Sequence, residues 1–264
     1  MELYILKIGG SVSTEKDKGI PKAKKDVIRR IAREIERARK AKDFRLVIVC
    51  GAGPFGHKFV AEYKINEGVK GEKEVEGFVR THRSVERLNN VFVDLMEEQG
   101  MLPFPVQTSG VVVQENREIK SFDVSILKDL LRLNPKIIPI MYGDMVIDSG
   151  MGASVLSGDA IVPYLAKELK ADRVFLGTDV DGIFTEDPKK NGKAGLVRAI
   201  NDRNLDEVLE GVGGSNATDV TGGMKGKLLA LKGVSAVVFN LAEGENLFRL
   251  LKGERGIGTE INLG

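Results

Sequence analysis

Cysteine and tryptophan are almost absent from this chain of 264 residues, which has one cysteine, Cys50, and no tryptophan. A single cysteine cannot form an internal disulfide and cannot supply a cluster of thiolate ligands to a metal. Cys50 follows the apolar residues 46–49, a pattern that indicates the end of a buried strand. We therefore interpret Cys50 as a structural thiol.

Long hydrophobic runs are also missing. No apolar run approaches the length of about 18 residues that a membrane-spanning helix requires. The first residues, MELYILKIGG, lack the basic start and the small-residue cleavage site of a secretory signal. We therefore expect a cytoplasmic protein that does not bind a membrane.

Neither sign of charge dominates. The chain carries 40 Lys and Arg residues against 38 Asp and Glu residues, a net charge of +2, so no global basic field favours nucleic acid as a partner. Hydrophobic residues make up 42% of the chain. That fraction is enough to fill the core of one large domain, or of two lobes that share a core.

Short apolar runs alternate with longer segments of helical periodicity, which predict strands and helices respectively. The predicted strands are residues 3–8, 45–50, 136–140, 173–177 and 236–239. The predicted helices are residues 24–41, 75–98, 159–169 and 224–232. This order predicts an α/β fold in which helices cover both faces of a mostly parallel sheet. Ligands of such sheets bind at the carboxyl ends of the strands.

Two segments interrupt this alternation and predict β-hairpins that project from the sheet. Residues 111–122 have their predicted turn at Glu115 and Asn116, and residues 142–156 turn around positions 149–150.

Glycine-rich loops follow several of the predicted strands or open a helix. They are KIGGS at 7–11, GAGPFGH at 51–57, GTDVDG at 177–182 and TGGMKGK at 221–227. Glycines let backbone N–H groups approach an anion, and a helix N-terminus adds a favourable dipole. Each loop alone is more often only a tight turn. GAGPFG at 51–56 has the spacing G-x-G-x-x-G, but no downstream acid is placed to bind a ribose, and the P-loop pattern is absent, so phosphate would be bound by another arrangement.

The order KIGGS, GAGPFGH, SGD at 157–159, GTDVDGIFTEDP at 177–188 and TGGMKGK resembles the amino acid kinase family over nearly the whole chain. The resemblance implies an open αβα sandwich with two lobes on one continuous sheet. Residues 1–170 would bind the phosphate acceptor and form a homodimer, and residues 171–264 would bind ATP. The histidine of GAGPFGH is similar to that of family members that convert isopentenyl phosphate and ATP into isopentenyl diphosphate in an archaeal-type mevalonate route.

Phosphoryl transfer requires positioned reactants and neutralised charge. The resemblance implies that Lys7, Lys16 and Lys225 supply positive charge, that Asp159 orients the lysines and that His57 donates a hydrogen bond to the acceptor phosphate. A charge inside the apolar first strand is costly unless it is used, which favours a function for Lys7. Alternatively, Lys16 belongs to a solvated lysine run, and Asp159 only complements the dipole of the helix that it begins.

ATP binding is expected mainly at the first, third and last of the glycine loops, with Gly53 contributed by the second. The resemblance implies contacts from Lys7, Gly9, Gly10, Ser11, Gly53, Thr178, Asp179, Asp181, Gly182, Phe184, Asp187, Pro188, Gly222, Gly223 and Lys225. The acids of this set do not have the spacing of a calcium loop. We expect Mg²⁺ to arrive bound to ATP, without dedicated protein ligands.

Acceptor binding is expected on the second glycine loop. The implied residues are Gly51, Ala52, Gly53, His57 and Gly158, with Phe78 or Val79 beside the hydrocarbon tail. Core packing is the ordinary explanation for such an apolar helical stripe. The second histidine, His82, lies among charged helical residues in THRSVER, and we predict a surface position for it.

Other functions remain open at this point. The acceptor of a related kinase would be a phosphonate such as fosfomycin, an acyl carboxylate or a nucleoside monophosphate. A storage or regulatory protein would bind nucleotide without turnover. His57 favours a phosphate or phosphonate over a carboxylate, and the lysines with Asp159 favour catalysis.

Overall fold

The apolar runs of the sequence form the strands of one large sheet. A computed structural model describes residues 1–15, 21–186, 194–213 and 223–264. The strands are β1 (Leu3–Ile8), β2 (Arg45–Cys50), β3 (Leu102–Pro105), β4 (Val112–Glu115), β5 (Glu118–Phe122), β6 (Ile137–Tyr142), β7 (Asp144–Asp148), β8 (Gly152–Leu156), β9 (Arg173–Thr178), β10 (Ile183–Phe184), β11 (Leu196–Val197), β12 (Ala199–Asn201), β13 (Ser235–Asn240) and β14 (Thr259–Asn262).

Helices connect most of these strands. They are α1 (Gly10–Ser13), α2 (Lys25–Ala41), α3 (Pro54–Glu62), α4 (Glu72–Glu97), α5 (Thr108–Val111), α6 (Ser125–Leu133), α7 (Gly158–Glu168), α8 (Leu205–Gly213), α9 (Gly223–Ala230) and α10 (Asn246–Leu251), with a short 3₁₀ turn at Ile65–Glu67. None of the helices in the described ranges has the length and apolar character needed to cross a bilayer.

The large sheet has eight strands in the order β12-β14-β13-β9-β1-β2-β6-β3. The strands from β13 to β3 run parallel, and β14 runs antiparallel to β13. The carboxyl ends of β9, β1, β2 and β6 therefore meet at one edge. The mostly parallel α/β sheet predicted from the sequence is confirmed.

Side chains of each strand alternate between two buried layers, as the period of two requires. In β1, Tyr4, Leu6 and Ile8 pack on the layer of α2, α4 and α10, whereas Leu3 and Ile5 pack on the layer that includes α6 and α7. Lys7 continues the second series, so the strand directs its side chain toward α7. This alternation gives the αβα arrangement and places one lysine at the sheet edge.

The two predicted hairpins are confirmed, and they join in a second sheet of four strands in the order β5-β4-β7-β8. Two of the predicted bounds were wrong. The first hairpin turns at Asn116 and Arg117, both with positive φ, one residue later than predicted. Tyr142 ends β6, and the second hairpin begins at Asp144.

Asp148 joins the turns of both hairpins. Its buried carboxylate accepts N–H bonds from Asn116 at 2.9 Å and Arg117 at 2.8 Å in the first turn, and from Gly150 at 2.9 Å in the second. The hydroxyl of Ser154 lies 2.7 Å from it. Burial alone would raise the pKa of Asp148, but these donors outweigh burial and hold the pKa at about 2.

Strand β3 was missed because its sequence, LPFP, contains two prolines, which are unfavourable inside a sheet. Val106, just beyond β3, donates its N–H to the carbonyl of Ile140 in β6 at 2.9 Å. Since N–H direction alternates along a strand, Pro103 and Pro105 occupy the positions that face away from β6. Prolines are tolerated there because β3 is the last strand of the sheet.

Cys50 is 1% exposed at the end of β2. Burial raises the pKa of its thiol, so the thiol stays protonated near neutral pH. This confirms the interpretation of Cys50 as a structural residue.

Replacing Asp148 by Asn is expected to lower the free energy of unfolding by about 2 kcal/mol near neutral pH, from the shift of the pKa from 3.8 to about 2. The folded-state pKa lies below the unfolded one, so this stabilisation is present above about pH 4 and is lost as the pH falls through about 2. Urea unfolding of both proteins across this range measures it.

The exposed Asp129, which pairs with Arg132 on α6, provides the matched control. Asp129→Asn is expected to change the unfolding free energy by less than about 0.5 kcal/mol. If the free energies of unfolding of wild type and Asp148→Asn differed by the same amount at pH 3 and pH 7, this would contradict the role given to the carboxylate.

Candidate active site

Glycine loops meet backbone to backbone at the carboxyl edge of the large sheet. Gly9 donates its N–H to the carbonyl of Gly177 at 3.0 Å, and Gly51 donates to Ile8 at 2.8 Å. A methyl group on Gly10 would lie 2.5 Å from the nitrogen of Gly53. The loops after β1, β2 and β9 therefore form one surface. Any side chain larger than that of glycine at position 10 would push the first two loops apart.

Lys7 and Asp159 form an ion pair beside this surface. Lys7 comes from β1 and Asp159 from the first turn of α7, and their side chains are 17% and 28% exposed. Gly158 lies against the same lysine, since a methyl group there would be 3.5 Å from Lys7 Cε. The structure thus brings together three of the predicted residues, from positions more than 150 apart in the chain.

Ser11 links the first loop to the predicted nucleotide segment. Its hydroxyl donates to Asp179 Oδ1 at 2.9 Å. Ser11 belongs to α1 and Asp179 follows β9. The bond therefore keeps the KIGGS and GTDVDG loops side by side, with their backbones on the same edge.

Two residues that the sequence did not single out organise the segment after β9. Asn240, at the end of β13, donates to Asp181 Oδ1 at 2.9 Å. Thr259, at the start of β14, accepts the N–H of Ile183 at 2.8 Å and lies where a methyl on Gly182 would approach to 2.5 Å. Neither residue belongs to a glycine loop, and only the fold places them here.

The remaining predicted nucleotide residues of this segment have local partners. Thr178 donates its hydroxyl to the carbonyl of Val180 at 2.8 Å. Phe184 is half-buried and pairs with Leu196 between β10 and β11. Thr178 is the last residue of β9 and therefore lies at the same sheet edge as the glycine loops.

Gly53 turns the chain from β2 into α3. Its φ is +51°, a value that favours glycine, and Pro54 follows at the first helical position, where its missing N–H is not needed. His57 donates its backbone N–H to Gly53 at 3.0 Å. The His57 side chain is exposed and, within the part of the chain that the structure describes, has no hydrogen-bond partner. It is available to a ligand on the glycine surface.

Phe78 and Val79 point in different directions on α4. Phe78 packs against a cluster that includes Tyr63 and Met145, whereas Val79 is 49% exposed. Val79 lies with Phe59 in an open groove of about 560 Å³ between α3 and α4. The two predicted tail contacts therefore do not share one surface.

The prediction of a surface position for His82 was wrong. Its Nδ1 lies 3.0 Å from both carboxylate oxygens of Asp144, and its side chain is only 19% exposed. The charged neighbours in THRSVER suggested a solvated residue, but the partner of His82 is Asp144, which comes from β7, far away in the sequence.

Several predicted residues lie outside the described part of the chain. They are Lys16, Asp187, Pro188 and Gly222. Gly223 begins α9, and the side chain of Lys225 is not described. Among residues 1–15, 21–186, 194–213 and 223–264, no three His, Cys, Asp or Glu side chains are grouped so that they could hold a metal ion.

Comparison with known proteins agrees with this geometry. Residues 2–234 match the family model described as the amino acid kinase family. The chain is 39% identical to the isopentenyl phosphate kinase of Methanothermobacter thermautotrophicus and 37% identical to that of Methanocaldococcus jannaschii, over 98% of each chain in both cases. An X-ray structure of isopentenyl phosphate kinase superimposes with a TM-score of 0.82 at 34% identity, covering 98% of this chain and 100% of the other.

The chain therefore belongs to the amino acid kinase family, as its motif order predicted. Within that family it is similar, over nearly all of its length, to isopentenyl phosphate kinases.

Proposed function

We propose that this protein transfers the γ-phosphoryl group of ATP to isopentenyl phosphate and so forms isopentenyl diphosphate and ADP. The observation that carries the proposal is the contact between Gly10 and Gly53, which brings the Lys7 loop and the His57 loop to one edge. Similarity to kinases of this name over 98% of the chain supports the choice of acceptor.

The proposed transfer is direct. An oxygen of the acceptor phosphate forms a bond to the γ-phosphorus as the bond to the β,γ-bridging oxygen breaks. A phosphate monoester is already an anion near neutral pH, so no strong general base is required. Catalysis then depends on position and charge. Lys7, held by Asp159, neutralises the transferring oxygens, and Gly10 and Ser11 offer N–H donors, whereas the N–H of Gly9 is already bonded to Gly177.

The parts of the site divide between the two partners of the reaction. Residues 171–264 would bind ATP, with Asp179 and Asp181 held in place by Ser11 and Asn240. Residues 1–170 would bind the acceptor on Gly51, Gly53, Gly158 and His57. From their places in the family's motifs, we assign to Lys16 and Lys225 the neutralisation of negative charge in the transition state. We also infer that the enzyme is cytoplasmic.

Magnesium would enter with ATP. Glycine N–H groups and lysines suit phosphate oxygens, whereas Mg²⁺ prefers carboxylate, phosphate and water oxygens, which the nucleotide itself supplies. The ion would neutralise charge on the β- and γ-phosphates.

Acceptor preference tests the proposal directly. We expect ATP consumption with isopentenyl phosphate to show a higher kcat/KM than with fosfomycin, N-acetylglutamate or UMP, because His57 and the glycine surface suit a phosphate with a hydrocarbon tail. Dimethylallyl phosphate in the same panel measures selectivity among short tails. A higher kcat/KM for any of the other three acceptors, or nucleotide binding without turnover, would reject the proposal.

His57→Ala is expected to lower kcat/KM for isopentenyl phosphate by roughly 10- to 100-fold, the effect of losing a hydrogen bond to a charged group. Because His57 is exposed, the midpoint of urea unfolding should stay that of the wild type. The KM for ATP in the same variant is the internal control. Unchanged acceptor kinetics would leave His57 with no role beyond the start of α3.

We further propose a homodimer formed through the N-terminal half. Leu102 and Phe104 of β3 are 50% and 43% exposed on the last strand of the large sheet. Pro103 and Pro105 remove N–H donors from its free side, so a partner would pack on side chains and not extend the sheet.

Phe104→Glu is therefore expected to halve the molar mass measured by light scattering, because a charge is placed in an apolar contact. Leu229→Glu is the matched control, since Leu229 is 45% exposed on α9 in the other half of the chain. A monomeric wild type, or dissociation caused equally by Leu229→Glu, would contradict this interface.

A further inference from the structure

His82 and Asp144 form a polar pair, and Asp144 directly follows Gly143 in the turn between β6 and β7. The side chain of Asp144 is fully buried, and its carboxylate oxygens each lie 3.0 Å from His82 Nδ1. Oδ1 also accepts the N–H of Met145 at 2.8 Å. A buried carboxylate is costly unless it is paired and hydrogen-bonded, so Asp144 depends on His82.

The residue before Asp144 touches the proposed acceptor loops. Gly143 donates its N–H to the carbonyl of Cys50 at 3.0 Å, directly before Gly51. A methyl group on Gly143 would lie 3.2 Å from the nitrogen of Gly158. The turn between β6 and β7 is thus wedged between the two backbone segments that would bind the acceptor.

Helix α4, which carries His82, also carries the apolar residue Phe78. Phe78, one helical turn before His82, packs with the cluster that contains Met145, the residue that follows Asp144. The His82–Asp144 contact therefore joins α4 to the β6–β7 turn at the point where both border the acceptor region.

The surroundings of His82 favour its protonated form. The pKa of His82 is raised, first by the hydrogen bond to Asp144, against the opposing effect of burial. On its own helix, Glu86 raises the pKa and Arg83 lowers it. From the end of β3, the uncharged side chain of Gln107 faces His82 Nε2 at 3.4 Å. Burial raises the pKa of Tyr142, at the end of β6, and the charges of Asp144, Glu86 and Arg83 also act on it, so this phenol is a further titratable group beside the pair.

We propose that His82 is a positioning residue of the acceptor site: through Asp144 it holds the Gly143 turn against Cys50 and Gly158. This inference rests on the proposed function, since it assumes that these loops bind the acceptor phosphate. It makes acceptor affinity, and not ATP affinity, depend on the His82–Asp144 pair.

The direction of the pH effect follows from the pair. A cationic His82 holds Asp144 more strongly than a neutral one, so the effect is complete below the ordinary histidine pKa of about 6.5 and is lost as the pH rises through the raised pKa of His82. The acceptor monophosphate, with a second pKa near 6, is already dianionic above about pH 7. An increase in acceptor KM above that pH is therefore not caused by the acceptor itself.

Two variants separate charge from hydrogen bonding. His82→Asn keeps an N–H donor near the position of Nδ1 but cannot be protonated, whereas His82→Leu removes both. We expect His82→Leu to raise the acceptor KM roughly tenfold, the change that about 1.4 kcal/mol of binding energy produces. His82→Asn should have a smaller increase. In wild type, the loss of the proton from His82 is expected to increase the acceptor KM above pH 7. Both variants should lack this increase, and the KM for ATP should be unchanged in both.

Arg80→Gln provides the control, because it removes a cation of the same helix that pairs with Glu76. His57 also faces the acceptor, and it is present in wild type and in both His82 variants. The test therefore compares the pH dependence of the acceptor KM in wild type with that in each variant. If His82→Leu fails to fold, His82→Asn alone carries the test.

An unchanged acceptor KM in both variants, or a parallel loss of kcat and of both KM values that follows the unfolding free energy, would overturn the positioning role. A wild type that does not turn over isopentenyl phosphate would instead overturn the proposed function. The two failures are thus distinguished by the wild-type assay.

Discussion

The site depends on one close approach: the backbone of the loop after β1 lies against the backbone of the loop after β2, with only hydrogen atoms between Gly10 and Gly53. Parallel neighbouring strands bring the two loops to the same edge, and glycine removes the side chains that would separate them. Lys7 and Asp159, the ion pair of the site, lie beside this contact. A kinase of this kind must hold two anions near each other, and the contact sets how near they come.

Charge is placed around that contact by the alternation of β1. An apolar strand directs every second side chain to the α7 layer, and Lys7 takes its place in that series, where Asp159 neutralises it. The cost of a lysine within the sheet is thus offset by a partner on a helix N-terminus, where a carboxylate is also favoured by the helix dipole.

The sequence was sufficient where a physical signal was local. The first two strands, the alternation of layers and the place of Lys7 within β1 follow from patterns within a few residues, and the glycine loops mark the sheet edge. Asn240, Thr259 and the pair of His82 with Asp144 lie far apart in sequence and meet only through the fold. Phe78 and Val79 are 100° apart on an ideal helix, and only the fold shows that Phe78 packs inward while Val79 is exposed.

Strand β3 shows a different reason for failure. Its prolines are unfavourable within a sheet, and only the knowledge that β3 lies at the edge makes them acceptable. The low preference of proline for strands therefore did not prevent β3 from forming, because β3 lies at the edge of the sheet. A short segment of sequence does not show which strand will lie at the edge.

The small sheet has a constraint of its own. Because the carboxylate of Asp148 receives N–H groups from the turns of two separate hairpins, the lengths of both turns are fixed by a single side chain. Surface hairpin loops ordinarily accept inserted residues with little cost. Here an insertion in either turn would move donors away from a buried charge, so these loops are poor places for the length variation by which related proteins diverge.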